Sequence, residues 1–220
     1  MDIIILVFEI LGTIAFAVSG AIEAMKKQMD LLGVIVLGLV TAVGGGVIRD
    51  MITGNLPPAA FVNPLNALVA VSSALIAFLI GAYLSGKEYK NKGKIWNQIL
   101  LVSDAIGLGT FTVLGIRYAQ SGAGNCNAAL ILFVGVITGV GGGILRDIFA
   151  GDVPYIFRKH VYATASVAGA ITYYILERVG PPELAAVISL VLVLVLRLLA
   201  AKFQWNLPRV FISTDNPRDK

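Results

Sequence analysis

The chain has 220 residues, of which 57% are hydrophobic and 14% are charged, and its mean hydropathy is +0.85. Soluble domains are about half apolar and about a quarter charged, so this composition excludes an ordinary water-soluble domain. A membrane-spanning helix needs about 20 apolar residues, and a chain of this length therefore holds about seven or eight such helices. The net charge of +4 indicates membrane topology rather than nucleic-acid binding. A single cysteine, Cys126, excludes an internal disulfide and a cysteine-based metal site.

Apolar segments follow one another along the chain, and each is long enough to cross a bilayer. They cover approximately residues 3–25, 30–52, 64–85, 95–118, 128–150, 160–177 and 183–202. The first segment is not a signal peptide, because Met1 and Asp2 provide no basic region before it. Pro181, Pro182 and Glu183 favour a helix start at the last segment. Its Val/Leu run predicts a peripheral, lipid-facing helix.

The basic residues between the segments predict the orientation of the chain. With the N-terminus outside, the cytoplasmic side would carry Lys26, Lys27, Lys87, Lys90, Lys92, Lys94, Arg158, Lys159, Lys202, Arg209, Arg218 and Lys220. The outer side would carry only Arg117 and Arg178. The positive-inside rule therefore predicts an outer N-terminus and a cytoplasmic C-terminus. Residues 1–202 would form a single transmembrane domain, and residues 203–220 a mobile cytosolic tail.

An internal repeat divides the apolar part of the chain. The segment TAVGGGVIRD at 41–50 recurs as TGVGGGILRD at 138–147. The preceding helices also correspond, with Gly12, Phe16, Val18 and Gly20 matching Gly107, Phe111, Val113 and Gly115, and Glu9 matching Asp104. The sequence thus predicts an all-helical membrane protein of seven transmembrane helices: two three-helix repeats, at about 3–85 and 95–177, and a seventh helix at about 183–202.

Three helices in each repeat imply that the two repeats cross the membrane in opposite directions. Inverted repeats of this kind are typical of transporters and channels, whose functional path lies near the repeat interface. The alternative is a duplication that was retained for helix packing alone.

Each copy of the repeated segment contains three successive glycines, which are Gly44, Gly45 and Gly46 and then Gly141, Gly142 and Gly143. A glycine inside a helix costs about 1 kcal/mol relative to alanine. The second and fifth spans are therefore predicted to bend or break there and to expose carbonyl groups to a path. The alternative is close packing through small-residue ridges such as Gly38-Ala42-Gly46. We expect the glycines to serve both purposes: the small-residue ridges pack against other helices, and each helix breaks where its ridge ends.

Charged residues inside the predicted spans are the next signal, and they are Glu9, Arg49, Asp50, Asp104, Arg146 and Asp147. A charge within the bilayer is costly, so these side chains should face the bundle interior and have partners. Their depths predict an ion pair of Glu9 with Arg49 near the outer side and of Asp104 with Arg146 near the cytoplasm. The alternative is that these pairs fix helix register without a part in conduction.

The sequence contains no phosphate-binding loop, no nucleophile–base pair and no metal cluster. An enzyme is therefore not predicted, and neither a cofactor, a metal ion nor a nucleic-acid partner is expected.

The doubled Gly-Gly-Gly-x-x-Arg-Asp motif at 44–50 and 141–147 resembles that of the prokaryotic trimeric intracellular cation (TRIC) channels, a family also called glycine transporters. The resemblance covers about residues 3–202. It implies a homotrimer with one pore per subunit between the two repeats, conducting monovalent cations, mainly potassium. The glycine motifs would be the helix kinks, and the adjacent arginines and aspartates would lie at or beside the pore.

On this resemblance we expect a channel for potassium or sodium ions in a prokaryotic plasma membrane, surrounded by membrane lipids. Thr41 and Thr138 would lie near the ion path, and the arginines would limit cation access electrostatically. The alternative is a secondary transporter of glycine or another small solute, which needs a closed central site. Both functions can be built from these residues.

Overall fold

The computed structural model describes residues 3–85, 92–121, 127–158 and 161–205. Its helices are α1 (Ile3–Lys26), α2 (Leu31–Thr53), α3 (Ala59–Val62), α4 (Leu65–Ser85), α5 (Lys92–Ser121), α6 (Ala128–Phe149), α7 (Tyr155–Arg158), α8 (Val161–Leu176) and α9 (Pro182–Phe203). No strand occurs within the described residues, which confirms the all-helical prediction. Of the predicted cytosolic tail, residues 206–220 lie outside the described residues.

Among the described helices, six are long and apolar enough to cross a membrane by length and composition: α1, α2, α4, α5, α6 and α9. The segment predicted at 160–177 corresponds to α8, a shorter apolar helix of 16 residues. A straight helix of that length rises about 24 Å, which is less than the roughly 30 Å of a hydrocarbon core. The structure therefore has six clear candidate spans and one shorter apolar helix.

The two helices that carry the repeated motif begin and end in the same way. Asp30 caps α2 and Asn127 caps α6, each accepting a hydrogen bond from the backbone N–H three residues later, at 2.8 and 2.9 Å. After each helix a glycine, Gly54 or Gly151, adopts a φ of 73°, which is strained for any other residue type. Matching sequence thus produces matching helix boundaries.

The described helices pack as two groups. In the first group α1 contacts α2 and α4, and in the second α5 contacts α6 and α8. The groups meet through α1 against α5 and through α2 against α6. Helix α9 lies against α5 and α8, outside the contact between the groups.

Helices α2 and α6 continue without interruption through their glycine triplets. The predicted break at these glycines is therefore wrong, and a smaller bend stays a prediction. Close packing explains the middle glycine of each triplet instead. A Cβ atom at Gly45 would lie against the backbone carbonyl oxygen of Thr138, and one at Gly142 would lie against that of Thr41. The two helices therefore touch backbone to backbone, which only glycine permits.

Helix α9 is more than the peripheral, lipid-facing helix that its Val/Leu run predicts. One side is exposed, but the other is buried and consists of Ala185, Ala186, Ser189, Val193, Arg197 and Ala200. Gly109 of α5 and Gly169 of α8 allow close contact with Val193. The prediction of a purely lipid-facing helix is therefore wrong, because glycines of α5 and α8 and small residues along this side of α9 let it pack against the two helices.

Candidate functional site

Asp104 of α5 lies at the centre of a buried charged group. Its Oδ1 atom accepts hydrogen bonds from Nη1 of Arg146 at 2.6 Å and from the Tyr162 hydroxyl at 3.3 Å. Its Oδ2 atom accepts one from Nη2 of Arg197 at 3.3 Å. We call these four residues and Asp147 the Asp104 cluster. The predicted ion pair between Asp104 and Arg146 is confirmed.

Within this cluster Arg146 is held by further contacts. Its Nε donates to Oδ1 of Asp147 at 2.9 Å, and its Nη1 donates to the Ser19 hydroxyl at 2.5 Å. The other carboxylate oxygen of Asp147 accepts a hydrogen bond from the backbone N–H of Tyr155 at 2.7 Å. Burial raises the pKa of the Tyr155 phenol above its ordinary value, so this side chain is neutral at physiological pH. The Arg-Asp pair therefore fixes both α1 and the loop after α6.

The first copy of the motif makes an equivalent arrangement. Nε of Arg49 donates to Oδ1 of Asp50 at 2.8 Å, and Oδ2 of Asp50 accepts from the backbone N–H of Ala59 at 2.8 Å. Both charged side chains are buried. In both halves of the chain, the arginine orients its neighbouring aspartate, and the aspartate holds the segment that follows the helix.

Glu9 does not pair directly with Arg49, and this prediction is wrong. Among the described salt bridges, Arg49 contacts Asp50. Tyr118 of α5 contacts both residues instead: the Arg49 guanidinium carbon lies 3.7 Å from its ring centroid, and its hydroxyl donates to Glu9 at 3.1 Å. Asn66 also donates to Glu9, at 3.2 Å. We call these five residues the Arg49 cluster.

The third glycine of each triplet borders one of these clusters. A Cβ atom at Gly46 would lie 3.9 Å from Nη2 of Arg49. One at Gly143 would lie against the Tyr162 hydroxyl and 3.6 Å from Oδ1 of Asp104. The first glycines face other side chains: Gly44 faces Leu145, while Gly141 lies beside Gly45 and Ile48.

Thr41 and Thr138 are fully buried within helix contacts. Each hydroxyl donates to the carbonyl oxygen four residues earlier in its own helix, at 2.6 Å in both cases. Gly20 of α1 packs on Thr41, and Gly115 of α5 packs on Thr138. The hydroxyls thus lie where α1 meets α2 and where α5 meets α6, and a position beside an ion path stays a prediction.

An aromatic pair separates the two clusters. Phe16 and Phe111 stack with ring centroids 5.3 Å apart, and their exposed fractions are 1% and 7%. Along α1, Phe16 lies between Glu9 of the Arg49 cluster and Ser19, which contacts the Asp104 cluster. Gly107 makes room for the ring of Phe16, and its counterpart Gly12 makes room for the ring of Phe111. The middle of the α1–α5 contact is therefore apolar and closely packed.

A cavity of about 670 Å³ borders the Asp104 cluster. Its lining consists of Lys26, Lys94, Asn97, Gln98, Leu100, Leu101, Asp104, Arg146, Tyr155, Val161, Arg197, Ala200, Ala201, Gln204 and Trp205. Lys94 and Trp205 are exposed, whereas Asp104 is buried. The cavity therefore leads from the surface to the buried charges.

A second cavity, of about 540 Å³, lies at the opposite end of α5. Its lining consists of Ile5, Arg117, Tyr118, Gln120, Ser121, Tyr173, Glu177 and Pro182. Tyr118 connects this cavity to the Arg49 cluster. Each charged cluster thus borders a cavity, and Phe111 lies on α5 between the two.

The comparisons with known proteins agree with the motif. A family model described as glycine transporter matches residues 6–82 and 101–178. The UPF0126 inner membrane protein YadS of Escherichia coli is 36% identical over 214 residues, covering 96% of this chain and 97% of YadS. The chain belongs to the glycine transporter family. The UPF0126 membrane protein YvgT of Bacillus subtilis is 37% identical over 94% of this chain and 97% of its own.

Solved structures connect this family to the prokaryotic TRIC channels. A protein described in work on conductance through TRIC cation channels is 40% identical, covers 94% of this chain and 98% of its own, and has a TM-score of 0.79. The TRIC orthologue from Rhodobacter sphaeroides is 31% identical, with coverage of 91% and 98% and a TM-score of 0.81. The predicted membership of the prokaryotic TRIC family is therefore confirmed.

The relatives also bear on the class and location of this family member. The matched family and the solved relatives are described as transporters and channels. This confirms the prediction that the protein is not an enzyme. The E. coli relative is an inner membrane protein, and the described residues of this chain include six helices of spanning length. Both observations support a multi-pass membrane protein.

Four members of the charged clusters are not among the residues that the sequence predicts: Asn66, Tyr118, Tyr162 and Arg197. Arg197 carried the same signal as Arg146, a charge inside an apolar span. Tyr118 carried no comparable signal, because an aromatic residue near a helix end is common at membrane interfaces.

Proposed function

We propose that the protein is a monovalent-cation channel, mainly for potassium, with one path in each subunit of a homotrimer in a prokaryotic plasma membrane. The solved proteins with this fold are described as TRIC cation channels, one of them as a trimeric intracellular cation channel orthologue. The observation that carries the proposal is the pair of cavities at opposite ends of α5, each bordering a buried charged cluster.

The proposed architecture is one transmembrane domain at 1–202 with seven spans. Two inverted repeats, at about 3–85 and 95–177, would precede a seventh helix at about 183–202, with the N-terminus outside and a cytosolic tail. Two observations support the repeats. The family model matches two stretches of similar length, and the two Arg-Asp pairs make equivalent hydrogen bonds.

The proposed path runs between the two repeats, from the cavity at the Asp104 cluster, past the contact of α2 with α6, to the cavity beside Tyr118. Phe16 and Phe111 close it in the conformation described here, because a stacked, buried aromatic pair offers a cation no oxygen ligand. Opening would require α2 and α6 to move apart at their glycine triplets, where Gly45 and Gly142 contact the backbone of the opposite helix and Leu145 packs on Gly44. Such a movement would bring Thr41 and Thr138 toward the path.

The charged residues would set the electrostatic barrier. Carboxylates such as Glu9 and Asp104 attract cations, whereas Arg49 and Arg146 repel them from a narrow path. In the closed arrangement each arginine is engaged by an aspartate next to it in the sequence. The buried arginines therefore limit access until the surrounding hydrogen bonds rearrange.

The second candidate function is a secondary transporter of glycine or another small solute. The description of the matched family model as glycine transporter favours it specifically. Two cavities separated by a closed apolar middle also suit alternating access, in which the central barrier never opens to both sides at once.

The deciding experiment combines planar-bilayer recording with an uptake assay on the same purified protein. Unitary potassium currents that are absent from protein-free bilayers support the channel. Saturable glycine uptake into proteoliposomes without unitary currents would overturn it in favour of the transporter.

A matched pair of variants tests whether the charged clusters take part. Arg146→Gln removes a positive charge at the proposed path, and Arg178→Gln removes one from an exposed arginine bonded to Tyr174. We expect Arg146→Gln alone to change the size or the open probability of the unitary current. Equal behaviour of the two variants would leave Arg146 with a structural role only.

A further inference from the structure

Arg197 gives the Asp104 cluster a second guanidinium group that the Arg49 cluster lacks. Its salt bridge in the described part of the chain is to Oδ2 of Asp104, at 3.3 Å. Charge-assisted bonds of this kind are usually about 2.7–2.9 Å long, and Asp104 already holds Arg146 at 2.6 Å. Arg197 therefore shares a carboxylate that is more tightly engaged by another arginine.

The guanidinium of Arg197 also has an unused donor. The residue is 4% exposed, and its Nε has no hydrogen-bond partner among the described residues. The face of the guanidinium lies over the ring of Tyr162, 4.5 Å from its centroid. The N–H groups of a guanidinium point outward in its plane, so stacking on a ring does not occupy them. They can still donate hydrogen bonds to groups at the edge of the guanidinium.

The charged residues around the adjacent cavity carry a small excess of positive charge. Its lining contains the basic residues Lys26, Lys94, Arg146 and Arg197 and the acidic residue Asp104. Two further carboxylates lie close by: Glu23, which contacts Lys26 at 3.1 Å, and Asp147, which contacts Arg146 at 2.8 Å. Even with both included, the basic residues outnumber the acidic ones. The amides of Asn97 and Gln98 add neutral donors to the lining.

We propose that this cavity is an oxyanion-binding site, with Arg197 as its principal ligand for a carboxylate or phosphate group. A planar guanidinium binds two oxygens of such a group at once. The bound anion would neutralise Arg197, which otherwise shares the single negative charge of Asp104 with Arg146. A volume of about 670 Å³ accommodates a small solute or a lipid headgroup. The anion site does not depend on the proposed channel function, because binding can be measured without ion conduction.

The test uses the full-length protein in phosphatidylcholine nanodiscs and titrates inorganic phosphate, and separately acetate, at constant ionic strength. Isothermal titration calorimetry should show saturable binding of at least one of the two anions. Arg197→Gln should weaken it about tenfold or more, the loss expected for one charged hydrogen-bonding group. Lys202→Gln is the matched control, since it removes a positive charge from the same helix outside the cavity lining, and it should retain the affinity of the unmodified protein.

A second variant distinguishes a loss of anion binding from misfolding. Asp104→Asn removes the carboxylate that competes for Arg197, so the affinity for phosphate or acetate should rise, and a folding defect cannot produce a gain. Nanodiscs that contain phosphatidylglycerol identify the source of the anion: competition with phosphate indicates a lipid headgroup, and its absence indicates a soluble anion. The proposal is overturned if neither anion binds saturably, or if Arg197→Gln binds as the unmodified protein does.

Discussion

The glycine triplets allow two neighbouring positions to be compared under nearly identical conditions. Gly45→Ala and Gly46→Ala add the same methyl group to the same helix, and both gain the helix propensity of alanine, about 1 kcal/mol. They differ in what the methyl group meets. At Gly45 it meets the backbone carbonyl of Thr138 and lies 3.3 Å from the backbone nitrogen of Gly142. At Gly46 the nearest atom is Nη2 of Arg49, at 3.9 Å.

The expected difference in stability follows from these contacts. Backbone atoms of a packed helix cannot rotate away, so Gly45→Ala must push α2 and α6 apart, and overpacking of this kind costs about 1–3 kcal/mol. At Gly46 the methyl group fits, so this variant keeps most of the propensity gain. Gly45→Ala should therefore be less stable than Gly46→Ala by about 1–3 kcal/mol, and each kcal/mol lowers the melting temperature by about 2–4 °C.

Thermal unfolding of the two purified variants, followed by tryptophan fluorescence in one detergent, measures this difference. Gly142→Ala is the counterpart in α6 and should behave like Gly45→Ala, because its methyl group would lie against the carbonyl of Thr41. If Gly45→Ala were as stable as Gly46→Ala, the glycines would serve backbone flexibility rather than close packing. The interpretation of the α2–α6 contact would then be wrong.

Further variants test the clusters and the aromatic pair. Arg146→Gln leaves buried carboxylates without their cation and should destabilise the fold by about 3–5 kcal/mol in thermal unfolding, whereas exposed Arg178→Gln should change it by less than about 1 kcal/mol. Tyr118→Phe removes one hydrogen bond to Glu9 and should cost about 1 kcal/mol; no change in melting temperature would argue against that bond. Phe111→Ala should cost about 3–5 kcal/mol and, if the rings close the path, raise the open probability of potassium currents; unaltered currents would exclude that role.

The positions of the spans and of one ion pair could be predicted because each rests on a single strong energy term. Long apolar runs locate helices in lipid, and these predictions match the helices to within a few residues. The pairing of Asp104 with Arg146 followed from the cost of an unpaired charge and from similar depth. Depth along a helix says nothing about rotation around it. For this reason the same argument failed for Glu9 and Arg49, between which Tyr118 makes the contacts.

The glycines show a different limit of prediction. Low helix propensity correctly marks Gly45 and Gly142 as unusual, but propensity is a weak term of about 1 kcal/mol, and tertiary packing outweighs it. The predicted ridge Gly38-Ala42-Gly46 does not contain Gly45: Gly38 packs against α1 and α4, whereas the contact with α6 is made one residue before Gly46. Small residues spaced along a helix indicate that another helix approaches closely, but which helix approaches, and at which glycine, depends on the fold as a whole.

Helix α9 makes the two charged clusters electrostatically different. The Arg49 cluster contains one arginine and two carboxylates, Glu9 and Asp50. In the Asp104 cluster α9 adds Arg197, so two arginines share two carboxylates. The two copies of the motif create two similar buried sites, and α9 then makes one of them more basic. If cations cross this protein, the two ends of their path are therefore chemically distinct, and Arg197 accounts for the difference.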